Sequence, residues 1–160
     1  MHDVGEGILG KDTPYIDKSV DRDLEEYLAF RRCYEVLDPV VFDRLHRAFL
    51  LQFAQKNPGT FPEDARRIMA EIVKKFPMET FAFDAIERWD YVLYALEQYH
   101  ECGNEKILVQ VLRNQVKHLN ILANELPGFG DEIWTWELAS WANVFLKAHE
   151  GKWIEQKGVA

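Results

Sequence analysis

The residues best equipped for chemistry crowd the start of the chain, in the run Met1-His2-Asp3-Val4-Gly5-Glu6-Gly7-Ile8-Leu9-Gly10-Lys11-Asp12-Thr13-Pro14. One imidazole (His2) and three carboxylates (Asp3, Glu6 and Asp12) fall within this short stretch. Imidazole nitrogen and carboxylate oxygen together suit a divalent transition metal or Mg²⁺. A His-Asp dipeptide is equally what a polar terminus looks like, so the pair alone leaves both readings open. Glycines at 5, 7 and 10 and Pro14 resist regular structure, and roughly the first 18 residues read as an irregular segment of the kind that often carries function.

Other candidates are scattered. Lys11, Lys18 and Arg22 stand close enough in sequence to receive a substrate phosphate, although ordinary surface cations look the same. Asp84, Glu87 and Asp90 are spaced by three and share a helix face, where they are either metal ligands or a solvated acidic stripe. His46, next to Leu45, reads as a satisfied or exposed histidine. His100 and Cys102 have no second ligand pair to complete a zinc site. His118 and His149 read as surface residues. Trp134 and Trp141, seven apart, belong to one helix face and read as packing. No phosphate-cradling G-x-x-x-x-G-K-[ST], dinucleotide G-x-G-x-x-G or nucleophile G-x-S-x-G pattern occurs.

The segment His2-Asp3-Val4-Gly5-Glu6, followed by Gly10 and Asp12-Thr13-Pro14, resembles the HDxxE…GDxP segment of the HD phosphohydrolase superfamily. The similarity is to the branch of bacterial 5′-deoxynucleotidases and related small HD proteins. Glu87-Arg88-Trp89-Asp90-Tyr91, with Leu93, Ala95, Leu96 and Glu97 after it, resembles that family's second motif helix. The resemblance implies an all-α domain and a divalent metal (Mn, Co, Mg, Fe or Zn) held by His2, Asp3 and Glu87, the last standing where the family usually has aspartate. It implies that Glu6 positions or activates water and that Asp12 lies near the substrate. Lys11 and Lys18 would then bind the phosphate. The implied reaction is hydrolysis of a phosphomonoester such as a nucleoside monophosphate. A homo-oligomer (dimer) is the expected assembly. The family's first metal-binding histidine lies on a helix upstream of the pair, where this sequence has only Met1. The expectation is therefore that Met1 is an internal residue of a longer protein. The alternative is an inactive relative that serves as a helical oligomerisation or regulatory protein.

Apolar residues recur at helical spacing almost throughout, which predicts an all-α fold with about six helices. Ser19 can cap a helix carrying Leu24, Tyr27 and Leu28. Asp38-Pro39 restarts the chain with a capping residue and a proline at the first helical position. That next helix carries Phe42, Leu45, Phe49 and Phe53 and ends at Asn57-Pro58-Gly59. Further helices are predicted over about 62–76, 79–99 and 104–125, and from about 131 to Gly151. In the second of these the expected core stripe is Ile86, Trp89, Leu93 and Leu96. The domain reads as residues 1–151, followed by a C-terminal tail, 152–160.

The 160 residues include 48% apolar ones, enough for a core, and carry a net charge of −8. That balance argues against a nucleic-acid polymer as partner, because such binding needs clustered Lys and Arg. Cys33 and Cys102 form no CxxC and read as buried free thiols. No apolar run approaches the length of a membrane span and no signal peptide is legible, so the cytoplasm is the expected compartment.

Overall fold

The helical period of the apolar residues produces eight α-helices and no strand among the residues described, which are 4–10 and 20–153 of the computed structural model. The helices are α1 (Val4–Leu9), α2 (Val20–Tyr34), α3 (Pro39–Leu50), α4 (Glu63–Lys75), α5 (Pro77–Cys102), α6 (Glu105–Glu125), α7 (Pro127–Glu132) and α8 (Trp136–Ala148). None of them is long and apolar enough to cross a membrane. The chain divides into two compact units, Met1–Asp84 and Ala85–Ala160.

In the first unit, α3 begins because the Asp38 carboxylate accepts hydrogen bonds from the Val40 and Val41 amides at 2.9 and 3.3 Å. Those amides have no partner inside the helix, so the cap supplies one, and Pro39 donates nothing that would be lost. A 3₁₀ turn over Leu51–Phe53 tightens the end of α3. Asn57, in the left-handed region at φ 35°, then turns the chain toward α4. The buried faces of α2, α3 and α4 meet in one cluster built on Tyr27, Phe30, Phe49, Leu50, Phe61 and Met69.

Helix α1 corrects the expectation of an irregular first segment. Gly5 and Gly7 lower its propensity, but α1 packs on α2 with Ile8 and Leu9 half-buried, and packing outweighs the roughly 1 kcal/mol that each helical glycine costs. Gly10, at φ 61°, ends it.

In the second unit α6 is the central helix. Leu108, Val109, Val111, Leu112, Val116, Leu119 and Leu122 are buried, a stripe wide enough to meet neighbours on two sides. It starts at a clean break: Gly103 takes φ 65°, which a side chain would strain, and the Asn104 side chain caps the Ile107 amide. The α5 stripe is shifted from the predicted one. Ile86 is 68% exposed and Leu93 is also exposed, while Ala85, Val92 and Ala95 are buried. The small residues mark the buried line, which large side chains concealed in the sequence.

The predicted last helix is two. Pro127 opens α7 at its first position, and Thr135 caps α8 by accepting from the Leu138 amide at 3.4 Å. Trp134 lies between them, 1% exposed, so it and Trp141 do not share a helix face. Both cysteines are exposed rather than buried.

Candidate functional site

Of the residues expected to carry chemistry, His2, Asp3, Lys11, Asp12 and Lys18 lie outside the described residues. Glu6 falls within α1, and its side chain is likewise outside them. Glu87 is described. It sits half-buried in the body of α5, on the turn next to Arg88, whose guanidinium donates to the Gln115 side-chain carbonyl on α6 at 2.7 Å. That bond links α5 to α6. Asp84 is half-buried and Asp90 is exposed on the same helix. No group of three or more His, Cys, Asp or Glu side chains stands ready to hold a metal among the described residues. Arg22 is engaged on its own helix, donating to Glu25 at 3.0 Å with the buried Glu26 carboxylate 3.8 Å from its Nε. An anion would have to compete with both carboxylates for it.

Among the described residues of the first unit, sequence reading missed a polar cluster that joins α2, α3 and α4. Arg31 Nη1 donates to Asp64 on α4 at 3.0 Å and to the Tyr27 hydroxyl oxygen at 3.2 Å. The same hydroxyl lies 3.2 Å from His46 Nε2 on α3. The Tyr27 hydroxyl thus serves both Arg31 and His46, accepting from the guanidinium and sharing a hydrogen bond with the imidazole. Burial pushes the His46 pKa down, and the Arg31 cation lowers it further. Burial likewise raises Tyr27. The His46 ring stacks with Tyr27 and Phe42. This chain of four side chains joins α2, α3 and α4, and burial favours the uncharged form of both titratable rings. The i, i+4 spacing of Tyr27 and Arg31 was its only sequence signal. The partners on α3 and α4 become visible only in the fold.

His149, expected at the surface, is half-buried. Its Nδ1 lies 2.8 Å from the Phe145 carbonyl oxygen, its Nε2 lies 3.5 Å from Glu105, and its ring packs on Phe145 and Trp153.

Comparison with protein-family models, curated proteins and solved structures finds no match to this chain.

Proposed function

We propose that the protein is a metal-dependent phosphohydrolase acting on a phosphomonoester such as a nucleoside monophosphate. The reading is carried by one observation: His2-Asp3-Val4-Gly5-Glu6 with Asp12-Thr13-Pro14, together with the Glu87-Arg88-Trp89-Asp90-Tyr91 segment, resembles two motifs of HD phosphohydrolases. It is supported by the setting of Glu87, half-buried on an unbroken helix that Arg88 ties to Gln115. The donor set fits a divalent ion chemically, since an imidazole and two carboxylates offer the nitrogen and oxygen ligands that Mn, Co, Fe, Zn and Mg accept.

When bound, such an ion acidifies water and offsets charge on a phosphoryl oxygen. His2, Asp3 and Glu87 hold it in this reading. Glu6 orients the attacking water and takes its proton. Lys11 and Lys18 receive the substrate's phosphate as hydrogen-bonding cations, and Asp12 lies beside the substrate.

The test is hydrolysis of nucleoside monophosphates by the purified chain with added Mn²⁺, Co²⁺ or Mg²⁺. Phosphate release that disappears in Asp3→Ala and falls in Glu87→Gln is the expected result. A chain that stays inactive with every one of these metals overturns the reading.

A further inference from the structure

A groove in the second unit has no part in that reaction. It opens between α6 and α8 and has a volume of about 650 Å³, within the range of roughly 300–1,000 Å³ typical of small-molecule sites. Its floor is set by small residues. At Gly130 an added Cβ would stand 2.6 Å from the Ala123 carbonyl oxygen, so α7 presses directly on the α6 backbone there. Behind the floor the buried Trp134 donates its indole N–H to Asn120 Oδ1 at 2.8 Å.

These bonds fix what the walls present. The Asn120 carbonyl oxygen accepts from Trp134, which leaves its amide nitrogen as a donor. On α8 the pattern reverses: Asn143 Nδ2 donates to the Ala139 carbonyl at 2.9 Å, leaving its side-chain oxygen as acceptor. Asn124 and Ser140 add groups that both donate and accept. The lining has one acid, Asp131, and one base, Lys147, so it is electrically balanced in a protein of net charge −8. At the mouth, Trp136 is 78% exposed and Val144 67%. An indole that open leaves a large flat apolar surface in water.

Ligand classes can be eliminated on this chemistry. An anion would want clustered Arg and Lys or several N–H donors, and a lone Lys147 beside Asp131 is neither. A metal ion would want more than one carboxylate. A wholly apolar ligand would strip water from three amides without replacing their hydrogen bonds. A neutral ring that carries hydroxyls around its edge and C–H groups on its face satisfies all the surfaces at once. Hydroxyls, like amides, both donate and accept, and the C–H face covers the Trp136 indole.

We propose that the α6–α8 groove binds a saccharide, with the sugar ring laid on Trp136 and its hydroxyls held by Asn120, Asn124 and Asn143.

The test is a titration of the ¹⁵N-labelled full chain with maltotriose, cellotriose and chitotriose. An uncharged octapeptide and inorganic phosphate are titrated in parallel. The expected result is saturable movement of the Asn120, Asn124 and Asn143 side-chain amide signals and of the Trp136 indole signal with at least one trisaccharide. Trp136→Ala should weaken that binding by about tenfold, a loss of roughly 1.4 kcal/mol. Asn124→Asp, at an exposed position and with the side chain's size kept, should weaken it too. Silence with all three trisaccharides overturns the proposal, as does binding that survives both substitutions. Movement of the same signals with the peptide or phosphate alone assigns the groove to that other ligand and equally overturns it.

Discussion

His46 is the residue whose protonation the fold controls most directly. It is 4% exposed, its Nε2 lies 3.2 Å from the Tyr27 hydroxyl, and both burial and the nearby Arg31 cation lower its pKa from the ordinary 6.5. The sign of the linkage follows. An unfolded chain protonates this imidazole near its ordinary value while the folded chain resists, so below that point the unfolded state holds more protons. The contribution is therefore present above pH 6.5 and is lost as the pH falls through the folded value. Urea unfolding at a series of pH values from neutral to mildly acidic should show falling stability. In His46→Phe, which keeps a ring in the stack with Tyr27 and Phe42, that slope should flatten. Tyr27→Phe should cost about 1–2 kcal/mol at neutral pH, because Arg31 and His46 each lose a buried partner. Little of this was legible in advance. A lone histidine one residue past a leucine announces neither burial nor partner, since its partner on α2 and the cation that sets its charge come together only when three helices pack.

At the scale of the helix, the legible features were those decided within a few residues. Asp38-Pro39 names its own cap, and Gly103 its own stop, because each solves a local backbone problem. The features that escaped depend on a neighbour. Helix α1 forms where glycines argue for a loop, and it does so against α2. On α5 the buried line follows Ala85, Val92 and Ala95, because small side chains allow close approach and large ones at 86 and 93 are left outside. The α7–α6 junction makes the same point sharply enough to test. Gly130 has an ordinary backbone conformation, so its requirement is spatial: a Cβ there meets the Ala123 carbonyl oxygen and, at 3.2 Å, the Ala123 Cβ. Gly130→Ala must push α7 off α6, and the overpacking should cost about 1–3 kcal/mol. Thermal melts would report that loss. Tryptophan fluorescence should shift as well, since Trp134 is held by Asn120 on the same stretch of α6. A Gly128→Ala control, where nothing lies within 4 Å of the added carbon, should leave both unchanged or slightly improved.

For the molecule as a whole, the proposed metal chemistry makes a claim that does not depend on turnover. An ion held by His2, Asp3 and Glu87 in the folded chain alone must stabilise it by RT ln(1 + [L]/Kd), about 2.7 kcal/mol when the ion is present at a hundred times its Kd. Millimolar Mn²⁺ or Co²⁺ should therefore raise the melting temperature by several degrees, and a chelator should reverse the rise. The net charge of −8 sets the necessary control, because any dication screens an acidic surface to some extent. Specific binding is the part of the rise that His2→Ala and Asp3→Ala abolish and that Ca²⁺ at the same ionic strength does not reproduce. Glu87→Gln keeps the size of the side chain and removes its charge, so it should weaken the metal-dependent shift without unfolding α5. The weakening should be at least about tenfold in apparent affinity, since even partners one shell further out are worth roughly 10–100-fold. The motif that proposes this site was open to sequence reading because it lies in two short segments, around His2-Asp3 and around Glu87. The α6–α8 groove was not, because its three asparagines come from two helices and mean nothing until Gly130 lets those helices and α7 close around Trp134. A rise in melting temperature common to wild type, His2→Ala and Asp3→Ala would make the ion a surface counterion, and the phosphohydrolase reading would fall with it, while the groove's ligand would stand on its own titration.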